Sequence, residues 1–189
     1  LSYKEAAAVT DIGTTFEGSD IMAFRELRFF TSLTAIEESA FYGCEKLMAI
    51  TLPETIVSIG EGAFRNCSSL KELDIPEGVK SLGERTFQNC VNLSRVSIPS
   101  SVEIACDCLE RCETLSEVGI AEGVRRIGSY AFQSCYARSE VVMPSSVEEI
   151  GRNACYFCKG LESVTLPAGL TDISNETFYN CESLKSIAL

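Results

Sequence analysis

LPETIVSIGEGAFRNCSSLKELD, residues 52–74, decides the fold because it recurs. Related stretches of 23 residues precede and follow it almost to both ends of the chain. One cysteine per copy marks the register: Cys44, Cys67, Cys90, Cys112, Cys135, Cys158 and Cys181, at intervals of 23, 23, 22, 23, 23 and 23 residues. All five prolines keep step with them, at Pro53, Pro76, Pro99, Pro144 and Pro167, and Ala121 takes the proline position in the copy with the deletion. An aromatic column runs Phe41, Phe64, Phe87, Phe132 and Phe178, with Leu109 and Cys155 as exceptions. An aliphatic column runs Ile36, Ile59, Leu82, Ile104, Ile127, Ile150 and Ile173. Residue types held in step over this many intervals identify an internal repeat.

Each copy has two halves. The first reads L-x-x-L-x-I-P, as in Leu70, Leu73, Ile75 and Pro76. Alternation at Leu73 and Ile75 predicts a strand, and proline ends it because it has no N–H for a ladder. The second half reads V-x-x-I-G-x-x-A-F-x-x-C-x-x-L. Here Gly83 is expected to permit a sharp turn, and Ala-Phe-x-x-Cys to form a short helical turn with Thr86, Phe87 and Cys90 on one side. A unit this short buries its apolar side only against the next copy, which is the logic of a solenoid. Stacking sets equivalent strands parallel and about 4.8 Å apart, with the second half of each copy as the crossover. The expected fold is an α/β solenoid, curved, with a parallel β-sheet on the concave face and short helical or turn segments on the convex face.

Residues 21–189 are expected to hold about seven such units, and residues 1–20 an N-terminal capping segment or degenerate repeat. Ile12, Gly13 and Phe16 read as a worn I-G-x-x-A-F piece. Leu27 and Phe29 fall at the next strand positions, and Phe30 stands where proline would. Ser2 and Glu5 fit a capping box that opens a helix. LSYKEAAAV also resembles the last third of a calcium loop with Glu5 at its final position, but the acidic first part is absent. No signal peptide is visible and Leu1 is not a start methionine, so the chain reads as a trimmed fragment.

The repeat resembles the BspA-like class of bacterial leucine-rich repeats, which carries L-x-x-L-x-I-P-x-x-V-x-x-I-G-x-x-A-F-x-x-C. The resemblance spans about residues 21–189. Cysteine stands where plant and animal receptor repeats prefer asparagine. The resemblance implies a noncatalytic protein-binding module, extracellular or at the cell surface. Members are typically large proteins of host-associated bacteria and some protists, and some adhere to host matrix proteins such as fibronectin and fibrinogen. The alternative is a structural spacer that displays another domain and has no ligand of its own.

Composition narrows the function classes. The chain is 46% hydrophobic and 23% charged, enough for an ordered structure. Its net charge of −11 without a basic stripe makes nucleic acid an unfavourable partner. No apolar run approaches the roughly 20 residues of a membrane span, so membrane insertion is not expected. The chain has no histidine, which excludes serine–histidine and cysteine–histidine relays and histidine-ligated zinc. No glycine-rich phosphate loop appears. The expectation is a monomer with no enzymatic activity and no cofactor.

Seven of the ten cysteines repeat as Leu and Ile repeat, and free cysteine packs as a small buried hydrophobe. Equivalent side chains in neighbouring coils point in parallel rather than at each other, so a reduced ladder is expected. In the run Cys106-Asp-Cys108-Leu-Glu-Arg-Cys112, three thiols are close enough for a soft metal. Against that, Cys112 belongs to the ladder and Cys108 to the alanine column; only Cys106 lacks a structural role. Cys155 and Cys158 have redox-motif spacing, yet Cys158 is a ladder cysteine and Cys155 replaces phenylalanine. Phe157 is expected to swing in and fill that space. Arg138 stands in a leucine column: either the local register slips, or its stem packs while its guanidinium reaches water.

The strand residues between the buried ones should face outward on the concave sheet. The candidate binding face is Glu26, Arg28, Glu72, Asp74, Arg95, Glu117, Glu140 and Thr165. Glu72, Asp74, Glu117 and Glu140 are its electrostatic core, suited to a basic partner. The plain alternative is that these are solvated surface residues.

Overall fold

The computed structural model describes residues 1–102, 104–105 and 108–189. It opens with a short helix α1 (Tyr3–Ala7). Its capping box is formed in both directions. Ser2 Oγ accepts from the Glu5 N–H at 3.3 Å, and a Glu5 carboxylate oxygen accepts from the Ser2 N–H at 2.7 Å.

Every coil before Ser163 then contributes two strands, not one. The first set holds β1 (Ala23–Phe24), β3 (Ala49–Ile50), β5 (Glu72–Asp74), β7 (Arg95–Ile98), β9 (Glu117–Ile120), β11 (Glu140–Val142), β13 (Ser163–Thr165) and β14 (Ser186–Ala188). The second set holds β2 (Ala35–Ile36), β4 (Ser58–Ile59), β6 (Ser81–Leu82), β8 (Ile104–Ala105), β10 (Arg126–Ile127) and β12 (Glu149–Ile150). Every recorded pairing is parallel and joins successive coils, at equivalent residues in Leu73 to Val96 to Val118 and in Ile36 to Ile59 to Leu82; in the second set Ile127 pairs with Ala105, so Ala105 rather than Ile104 holds the aliphatic position of its coil. The V-x-x-I half is thus a second parallel ladder. Its glycine is needed for room rather than for a turn: a Cβ on Gly60 would lie 2.5 Å from the Glu38 backbone nitrogen, one coil back.

The helical turns expected opposite the first strands are absent. Apart from α1 and a 3-10 helix at Arg25–Phe29, the described residues form strands, turns and coil. The Ala-Phe-x-x-Cys stretch cannot wind into an α-helix because residues four apart sit in the left-handed region, Gly62 and Asn66, or Arg85 and Asn89, with φ between 55° and 63°. Every second N–H points along the stack instead. Phe41 donates to the Ala63 carbonyl, Phe64 to Thr86 and Phe132 to Ala154, at 2.8, 2.9 and 2.8 Å. The result is a parallel-strand β-solenoid of about seven coils.

The core runs down its centre. Phe41, Phe64 and Phe87 stack with ring centroids 5.2 and 5.6 Å apart and planes within 9°. Phe16 extends this stack at 5.4 Å from Phe41, so the N-terminal segment places a ring of its own at the head of the column. The ladder cysteines Cys44 to Cys181 and Cys155 are free thiols, and the ladder members Cys44 to Cys158 are buried. Cys106 lies outside the described residues; Cys108 and Cys112 are both core.

Candidate functional site

The first-strand set positions the candidate face, since alternation sends Leu73, Val96, Val141 and Val164 inward and their neighbours outward. Pairing sets Glu72, Arg95 and Glu117 side by side across β5, β7 and β9, with Asp74, Ser97 and Gly119 in the next row. Farther along, Glu140, Ser163 and Ser186 align, then Val142, Thr165 and Ala188. Six of the eight candidate residues therefore lie on these strands.

Glu26 and Arg28 do not. They lie exposed on the 3-10 helix Arg25–Phe29, not in a strand. The strand of that coil is β1, and Ala23 pairs with Ala49, a separation of 26 residues where the repeat predicts 23. Three extra residues are taken up by the 3-10 helix. Leu27 and Phe29, the expected strand positions, imitate the strand pattern because they are buried and half-buried, but from a helical turn.

The charges of the face are partly spent within it. Arg95 bridges Asp74 at 3.0 Å and Glu72 at 3.3 Å. The Asp74 carboxylate first, then Glu72, push the Arg95 guanidinium above its ordinary value. Glu117 and Glu140 enter no ion pair among the described residues, so they carry the free negative charge.

The face is also not continuous. Among the described residues no strand pairing joins β9 to β11. A cleft of about 520 Å³ opens there, lined by residues that include Arg95, Glu117, Gly119, Arg138, Glu140 and Val142. Arg138 is not a snorkelling side chain. It is 5% exposed, and its Nε and Nη1 are buried without a hydrogen-bond partner. Burial holds its guanidinium below the ordinary arginine value.

Phe157 does not fill the space left by Cys155. It is half-buried on the turn surface at a left-handed φ of 60°, its ring 4.6 Å from Tyr156. The second strand set, which sequence reasoning missed, presents its own depression of about 730 Å³ beside Ser100, Ser101, Gly123, Arg125 and Glu148, floored by the Arg126–Glu149 ion pair at 2.7 Å. The doublet Arg125–Arg126 facing Glu148–Glu149 one copy later was the available signal.

No helix among the described residues is long and apolar enough to cross a membrane. A family model described as BspA type leucine-rich repeat region matches in six copies over residues 14–137 and 102–189. A leucine-rich repeat protein of Bacteroides ovatus is similar with TM-score 0.62 and 27% identity, over 82% of this chain and 46% of that one. The leucine-rich repeat protein of T. pallidum gives TM-score 0.57 and 29% identity, over 82% of this chain and 63% of that one. This chain spans less than two thirds of the length of either neighbour. A search of curated proteins found no match.

Proposed function

The chain belongs to the BspA-type leucine-rich repeat family, and on that premise we propose that it is a noncatalytic protein-binding module of a bacterial cell-surface or secreted protein. Its partner is read on the first-strand face, with host extracellular-matrix proteins as the first candidates. The carrying observation is the alignment of exposed, mostly small or acidic side chains in rows across paired strands. Such a surface is broad and shallow, and suits a folded protein better than a small molecule. Glu117 and Glu140, flanking the cleft without ion-pair partners, favour a basic patch on the partner. The net charge of −11 disfavours self-association and supports a monomer.

The test is binding of the purified chain to a panel that includes fibronectin and fibrinogen. Combined Glu117→Lys and Glu140→Lys should weaken capture at least about tenfold without lowering the melting temperature. Unchanged binding would remove this face as the site. Failure across the whole panel would favour the spacer reading, which is supported by the lack of any aromatic side chain in the aligned rows of β5 to β14.

A further inference from the structure

A cavity of about 420 Å³ lies between α1 and the 3-10 helix Arg25–Phe29, at the head of the phenylalanine stack. Its walls are aromatic. Tyr3, Phe16, Phe24, Phe29 and Phe30 line it, and contacts among them hold the rings in place. Tyr3 meets Phe29 with ring centroids 4.6 Å apart, Phe16 meets Phe24 at 5.1 Å, and Phe24 meets Phe30 at 5.7 Å. Phe30 is buried, but Phe16, Phe24 and Phe29 are only half-buried and Tyr3 is exposed, so ring surface remains open. Ala6 on α1 and Val9 just beyond it complete the wall with side chains too small to fill the space. A concave, mostly apolar space of this size falls in the range of about 300–1,000 Å³ that holds small molecules.

Two carboxylates share the lining, Asp11 and Glu26. Asp11 accepts from the Gly13 N–H at 2.7 Å, which leaves its second oxygen available. Among the described residues neither carboxylate enters an ion pair, with a side chain or with the α-amino group of Leu1. No lysine or arginine side chain lines the cavity. Glu26, expected on the strand face, stands here because the 3-10 helix carries it out of register. Aromatic ring faces are electron-rich and draw cations. Arg28 shows this from outside the cavity, with its guanidinium 4.8 Å from the Phe29 ring centroid. Inside, rings and carboxylates act in the same sense. They attract a cation and repel an anion, on a chain whose net charge is −11. The apolar walls require the rest of the ligand to be hydrocarbon.

We propose that this cavity binds a small organic ammonium ion with an aromatic or alkyl body. The body packs against the rings, and the charged nitrogen is held by Asp11 and Glu26. The site is separate from the rows of the strand face and stands or falls independently of a protein partner there.

The experiment titrates the full chain with three probes that share one body: 4-phenylbutylamine, 4-phenylbutanol and 4-phenylbutanoate. Methyl-resolved NMR follows Ala6, Val9 and Ile12, which line the cavity. The amine should shift these methyls saturably and bind at least about tenfold more tightly than the alcohol, and the acid should give no saturable shift. Asp11→Asn combined with Glu26→Gln should bring the amine within about threefold of the alcohol and leave the alcohol unchanged. Thr15→Trp, which fills the cavity, should remove binding of both. Equal affinity for the three probes, preference for the acid, shifts confined to other methyls, or no binding by any probe would overturn the proposal. So would concentration-dependent shifts of the same methyls without a probe, which would mark the cavity as a contact between copies of this chain. Methyl spectra verify the folding of each variant, and the ranking of the probes on the unaltered chain decides the matter should a variant fail to fold.

Discussion

The thiol of Cys90 donates a hydrogen bond to the carbonyl of Phe64, 3.1 Å away and one coil back. Cys67 makes the same bond to Phe41, Cys112 to Phe87, Cys135 to Leu109, Cys158 to Phe132 and Cys181 to Cys155. The repeat thus keeps cysteine for two reasons at once. The side chain is small enough to pack beside the phenylalanine stack, and its S–H satisfies a buried carbonyl at the turn.

Removing that donor should cost stability according to burial. Cys90→Ala leaves the Phe64 carbonyl with the Cys67 N–H alone and a small void beside it, for a loss of about 1–2 kcal/mol. Cys181→Ala, at a half-buried position, should lose less than about 1 kcal/mol. Urea denaturation of the two variants, with equal slopes, measures the contrast.

Gly60→Ala should be among the most damaging single methyl additions in the chain. The new Cβ would meet the backbone of Glu37 and Glu38, which cannot move without opening the β2–β4 pairing. The expected loss is about 2–4 kcal/mol. Gly169→Ala, with nothing within 4 Å of its Cβ, should change stability by less than about 1 kcal/mol and is the control.

Arg138→Leu should stabilise the fold. It exchanges a buried guanidinium with unmet donors for the residue that Leu115 and Leu161 supply in the neighbouring coils. The expected gain is about 1–3 kcal/mol, seen as a higher urea midpoint. A lower midpoint would mean that the cation has a compensating partner in the core.

The acid limb of stability should depend on Glu122. Its carboxylate accepts from the Ser145 N–H and hydroxyl and from the Ser146 N–H, all within 3.2 Å. The Ser145 backbone bond is the main reason that its folded value lies below the ordinary 4.5. A depressed folded value contributes stability above the unfolded value, and the contribution is lost as pH falls through the folded one. The advantage of the native chain over Glu122→Gln should therefore be constant near neutrality, shrink below pH 4.5 and vanish in stronger acid. Melting temperatures of both proteins across that range test it.

What could be read in advance depended on periodicity. Where copies agree, as at Leu73, Val96 and Val118, the inward and outward positions followed from alternation alone. Glu72, Asp74, Arg95, Glu117, Glu140 and Thr165 accordingly lie on the strands expected. Where a copy departs, the pattern misled. Phe29 and Phe30 sustain the apolar rhythm across a 3-10 helix, so Glu26 and Arg28 fell out of register with β1. Phe157 looked like a filler for Cys155, yet its left-handed backbone turns it to the surface beside Tyr156.

The sequence by itself determined the repeat, its register, the parallel stacking and the family, because each is a statement about residues one period apart. The tertiary structure alone decided where hydrogen bonds go. The turn halves resemble helices in composition, but every second N–H finds its acceptor in the next coil, between turns that close on their own chain. The same neighbour-dependence made the second ladder and gave each ladder cysteine a carbonyl to serve. Such contacts rest on which coil lies beside which, and one copy read in isolation contains no trace of them.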